Sequence, residues 1–101
     1  MTRYDDVRKA VRDLILSDSG DFDIVYDTTE CFQVNFTWNH CLGELIVNQP
    51  DYAPYRFVTF HILSSDTECP NDVYFFNDSE EDSLEIILEK IKDGILKGKM
   101  Y

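Results

Sequence analysis

The sequence predicts an α+β fold, a two-layer α/β sandwich. A five-stranded antiparallel meander is flanked by N- and C-terminal helices (α-β-β-β-β-β-α), and residues 1–101 form a single acidic domain. Three observations lead there. Apolar residues recur at helical spacing at both ends, at Tyr4, Val7, Val11, Leu14 and Ile15 and again at Leu84, Ile87, Leu88, Ile91 and Ile95. Between the two ends the period drops to two. The connections are short, which favours neighbouring antiparallel strands over parallel crossovers. A length of 101 residues with 44% hydrophobic and 14% aromatic content supplies one core and leaves little room for a second.

Taken in order, the first helix opens after Thr2, a fitting N-cap, with Asp5 and Asp6 near the positive end of the helix dipole. It stops near Ser17, before the polar run Asp18-Ser19-Gly20-Asp21. Phe22, Ile24 and Tyr26 alternate with Asp23, Val25 and Asp27 as a first strand. Phe32, Val34, Phe36 and Trp38 alternate with Gln33, Asn35 and Thr37 as a second. A turn over residues 39–43 leads to a short third strand, 44–48. Pro50 and Pro54 make residues 48–54 a loop. A fourth strand over 55–63 is rich in aromatic and β-branched residues. Pro70 lies in a polar loop, and 72–76 is a fifth strand. Asp78 with Glu81, or Ser79 with Asp82, resembles a capping box ahead of the last helix, and Gly98 is placed as its C′ residue.

This pattern turns Ile24, Tyr26, Phe32, Val34, Phe36, Trp38, Leu45, Val47, Val58, Phe60, Ile62, Tyr74 and Phe76 toward the helices. The opposite face then carries Asp23, Val25, Asp27, Gln33, Asn35, Thr37, Glu44, Ile46, Tyr55, Phe57, Thr59, His61, Val73 and Phe75. An uncovered face that mixes acids, amides and aromatics is suited to binding.

The charge is segregated along the chain. The net charge is −11, and between Asp13 and Glu89 the only cation is Arg56, set among 17 acidic residues. The other cations are Arg3, Arg8, Lys9 and Arg12 at one end and Lys90, Lys92, Lys97 and Lys99 at the other. Ordinary soluble surfaces intersperse the two signs. A one-signed surface attracts cationic partners and repels polyanions. Nucleic acid is therefore excluded as a direct ligand, since affinity there comes from cations on phosphates, and an anionic membrane is excluded for the same reason.

Residues 1–6 have no apolar run of the kind a signal peptide needs, and no segment approaches the roughly 18 apolar residues of a membrane span. Three cysteines, Cys31, Cys41 and Cys69, are an odd number and fit a reducing compartment. The localisation read from these is cytoplasmic. Asn35-Phe36-Thr37 and Asn77-Asp78-Ser79 match the glycosylation acceptor only by chance on that reading.

Motifs for chemistry are missing. Cys31, His40, Cys41, His61 and Cys69 show no paired metal-ligand spacing. The acidic run from Asp18 fails the calcium-loop pattern, with Asp23 where a glycine is needed and Thr29 where a glutamate is needed. No GxSxG, HExxH or phosphate-binding glycine loop occurs. A Cys–His pair, Cys31 or Cys41 with His61, is the one nucleophilic arrangement the strands could assemble. The chain is thus expected to be no enzyme, with no cofactor and no metal.

The expected role is a protein-binding module, monomer or weak homodimer, that meets a basic protein partner by electrostatic and aromatic contacts. In concrete form it is an inhibitor or immunity-type protein occluding a cationic, nuclease-like toxin. The contacts expected are Asp21, Asp23, Asp27, Glu30, Glu44, Asp51, Asp66, Glu68 and Asp72, with Tyr52, Tyr55 and His61 as anchors. Two rival readings use the same surface: a small-molecule or sensory module on the open sheet face, or a self-associating adaptor.

Overall fold

The helical and period-two segments become two helices and five strands in the computed structural model, which describes residues 3–18, 22–49, 56–65 and 71–101. The elements are α1 (Arg3–Ser17), β1 (Phe22–Asp27), β2 (Cys31–Thr37), β3 (Cys41–Asn48), β4 (Val58–Ser64), β5 (Asp72–Asn77) and α2 (Leu84–Met100). The strands form one sheet in the order β1-β2-β3-β4-β5, each antiparallel to its neighbour. Thr2, expected as the cap of α1, lies outside the described residues.

Both helices pack on one face. Val7, Val11 and Ile15 of α1 and Ile87 and Ile91 of α2 close over Phe32, Val34, Phe36, Leu45, Val47, Phe60 and Ile62. The helices run in the same direction, because they are tied at both ends. The Arg3 guanidinium donates to the carbonyls of Ser79, Glu80 and Asp82 just ahead of α2, at 3.1, 2.7 and 2.7 Å. At the far end, Lys99 donates to Asp18 at 3.2 Å. α1 lies over β2 and β3, and α2 over β3, β4 and β5. β1 is an edge strand, tied to α1 by Arg12 on Asp27 at 3.0 Å.

Where the strands begin and which way they face differ from the sequence reading at several points. A bulge between Ile24 and Tyr26 leaves Val25 without a cross-strand partner. The extra residue reverses the alternation. Tyr26, expected inward, instead pairs with Gln33 on the open face, and Asp27, expected on that face, pairs with Phe32 on the helix side. Ile24 keeps its helix-side position opposite Val34 yet is 40% exposed, at the edge of the sheet. A second bulge, at Val73, draws that residue against the core rather than onto the open face.

The expected turn over 39–43 shrinks to Asn39 and His40. Trp38 N–H donates to the Cys41 carbonyl at 2.9 Å, and β3 starts at once. Glycine 43 reads as a turn residue but sits inside the strand, where a Cβ would lie 2.8 Å from the Trp38 ring. Gly98 is likewise no C′ residue. It is buried inside α2, and a Cβ there would lie 2.5 Å from the same indole. Trp38, stacked on Phe36 at 5.0 Å and 6°, thus occupies a slot that two glycines keep open.

β4 begins at Val58 rather than at Tyr55, and Phe57 is buried against Tyr4, ring edge to face at 5.7 Å. The cause is Asp78. Its Oδ1 accepts the amide hydrogens of Phe57 at 2.8 Å and Val58 at 2.9 Å, taking donors that a neighbouring strand would otherwise use. Asp78 is 1% exposed, so this acid belongs to the core rather than to the charged surface. The cap of α2 is Ser83, which accepts from Ile86 N–H, while Asp82 accepts from Ser79 N–H to shape the turn before it.

Candidate functional site

The face of the sheet away from the helices is set by strand register. Asp23, Asn35, Glu44, His61 and Phe75 are successive cross-strand partners and form one row across all five strands. Thr37, Leu42, Leu63 and Asp72 form the row on one side of it. Tyr26, Gln33, Ile46, Thr59 and Asn77 form the row on the other. Asp23, Asn35, Glu44 and His61 of the central row, with Thr37, Leu42 and Leu63 beside them, line an open depression of about 420 Å³. His61 Nε2 and Asp72 Oδ1 are 2.7 Å apart, and the Phe75 ring meets His61 edge-on at 5.4 Å. Carboxylates thus alternate with apolar groups across the face: Asp23, Glu44 and Asp72 beside Leu42, Leu63, Phe75 and Tyr26.

None of the five strands contains a Lys or Arg. Several cations on the helical side are engaged there: Arg12 on Asp27 at 3.0 Å, Lys99 on Asp18, Arg3 on three carbonyls, and Lys97 over the Tyr74 ring at 5.5 Å. Among the described residues, no Lys or Arg pairs with Asp23, Glu44 or Asp72. The open face therefore presents carboxylates without a paired Lys or Arg among the described residues, with His61 beside Asp72.

Four of the expected contacts come together here: Asp23, Glu44, His61 and Asp72. Two do not. Asp27 is held by Arg12 on the other side of the sheet. Asp27→Asn is therefore expected to cost under about 1 kcal/mol, as for an exposed ion pair; chemical denaturation checks this. Glu30 sits beyond β1 in the turn before β2, where it lines a separate cleft of about 470 Å³ with Tyr4, Asp5, Thr29 and Gln49. Asp21, Asp51, Tyr52, Tyr55, Asp66 and Glu68 lie outside the described residues.

Leu42, Leu63 and Tyr26 belong to the face and were not visible as such in the sequence. Leu42 falls in the segment that reads as a turn, Leu63 ends its strand, and Tyr26 reaches the face only through the bulge. The Cys–His pairing fails on geometry. Cys41 is fully buried. The row holding His61 crosses β2 at Asn35, four residues from Cys31, or roughly 13 Å at strand rise. Burial also pushes the Cys31 thiol above its ordinary value, which keeps it protonated near neutral pH and poorly nucleophilic.

No family model, curated protein or solved structure matches this chain. The functional reading therefore rests on the face itself.

Proposed function

We propose that this protein is a binding module whose open sheet face neutralises a basic protein partner by occlusion, in the manner of an inhibitor or immunity-type protein set against a cationic, nuclease-like toxin. The observation that carries the proposal is the separation of charge across the sheet. Arg3, Arg12, Lys97 and Lys99 are engaged on the helical side, while Asp23, Glu44 and Asp72 stand on the other side with no Lys or Arg paired to them among the described residues. Keeping like charges together without compensation costs stability through self-repulsion. A partner that supplies the missing cations relieves that repulsion and associates faster through steering.

The apolar members of the face give the contact its second ingredient. Phe75 is 56% exposed and lies next to His61, with Leu42 and Leu63 beside it. Interface cores are enriched in aromatic residues, and rims are polar. A nuclease surface that holds phosphate through Lys and Arg is complementary to such an array. No bond is made or broken; inhibition is stoichiometric.

Capture from the protein's own cell lysate tests this. With the full chain as bait, basic proteins are expected to be retained at about 50 mM salt and largely released at about 500 mM, where the screening length falls to a few ångströms. Retention of neutral or acidic proteins only, insensitive to salt, would contradict the reading.

A further inference from the structure

We infer that the basic partner binds by adding an extended strand to the β1 edge, with cationic side chains toward Asp23 and apolar side chains toward Ile24. The inference rests on the binding role proposed above and names how the partner is held. β1 is an edge strand that meets α1 at its end, through Arg12 on Asp27 at 3.0 Å, whereas β5 at the other edge packs along α2, where Tyr74 donates to the Lys90 carbonyl at 2.7 Å. Natural edges are blunted by lysine, proline, bulges or short length. β1 has six residues with neither lysine nor proline; its bulge at Val25 leaves Phe22–Ile24 as the regular stretch of edge, and Ile24, Val25 and Tyr26 are exposed in succession at 40, 43 and 54%.

The register specifies the occupant. Asp23 is the β1 member of the Asn35–Glu44–His61 row, so a residue paired with Asp23 joins that row on the open face. A Lys or Arg at that position would lie beside Asp23, with Glu44 further along the row. The flanking residues of the added strand point to the helix side, where they cover Ile24 and the partly buried Phe22. The segment that fits alternates basic and apolar residues. A second copy of this chain fits less well, because it brings another net charge of −11 to the same edge.

The test is amide-shift titration of the full-length isotopically labelled protein with an alternating lysine–valine heptapeptide. The control is the same peptide with proline for each valine, which keeps the charge and cannot pair as a strand. The lysine–valine peptide is expected to shift the amides of Phe22–Asp27 and slow their solvent exchange, while the proline peptide is not. Asp23→Lys is expected to weaken the former about tenfold. Equal effects from both peptides, centred on Glu44 and His61, would overturn strand addition and leave the acidic-face reading standing. No shift from either peptide overturns strand addition too, and the lysate capture then judges the binding role alone. Shifts in β1 that grow with protein concentration and need no peptide would assign the edge to a second copy and overturn the inference.

Discussion

Asp78→Ala is expected to destabilise the fold by about 2–4 kcal/mol, because it leaves two buried amide donors without an acceptor. Phe57 N–H and Val58 N–H both end on Asp78 Oδ1, at 2.8 and 2.9 Å, and Phe57 and Val58 are buried. The loss falls where three parts of the fold meet. Phe57 supports Tyr4 of α1, Val58 opens β4, and the residues just after Asp78 receive the Arg3 guanidinium. For a domain of this size the melting temperature should drop by roughly 10–25 °C. Asp78→Asn keeps an amide oxygen in place and should recover most of the loss. Glu81→Ala, at an exposed acid three residues on, should stay within about 0.5 kcal/mol of wild type. Urea denaturation of the three variants checks this; an Asp78→Ala protein as stable as Glu81→Ala would show that the Asp78 carboxylate does not anchor the start of β4.

Gly94→Val is expected to cost about 3 kcal/mol, since the added side chain has nowhere to go. A Cβ at this position lies 2.7 Å from Phe60 Cε2 and 2.7 Å from Tyr74 Cε2. Phe60 is fully buried, and Tyr74 is pinned by its hydroxyl on the Lys90 carbonyl, so neither ring can turn away cheaply. Gly94→Ala gives the sharper test of sign. Helix propensity alone makes it stabilising by about 1 kcal/mol, whereas contact with the two rings makes it destabilising. Thermal melts of both variants decide which effect wins. A stabilised Gly94→Ala would mean that α2 stands further from the sheet than these contacts require.

Periodicity made the architecture legible. Val7, Val11, Ile15, Ile87 and Ile91 are buried as their helical spacing requires, and Phe32, Val34 and Phe36 alternate inward along β2. What stayed hidden depends on events that leave little trace in a local pattern. The bulge at Val25 is invisible in an alternating run, and it exchanges the faces of Tyr26 and Asp27. Gly43 and Gly98 carry the composition of a turn and a helix end, but they answer a long-range demand for space from Trp38. Asp78 looks like one more surface acid until the 21 residues back to Phe57 are closed in space. The site was legible in the same proportion. Asp23, Glu44, His61 and Asp72 lie on one face because the register of β1 to β5 follows from hydrophobic alternation. Asp27 and Glu30 left it because a bulge and a turn do not.

The central claim is that the open sheet face, rather than the net charge, selects the partner. The most direct measurement compares two charge-reversed baits of equal net charge in the lysate capture, with the retained basic partner quantified in each. One carries Asp23→Lys, Glu44→Lys and Asp72→Lys on the open face. The other carries Asp13→Lys, Glu89→Lys and Asp93→Lys at exposed helical positions. The open-face bait is expected to lose the partner by about 100-fold, and the helical bait to retain it within about threefold of wild type. Equal loss from both baits, or loss from the helical bait alone, would contradict the assignment of the binding surface to the sheet.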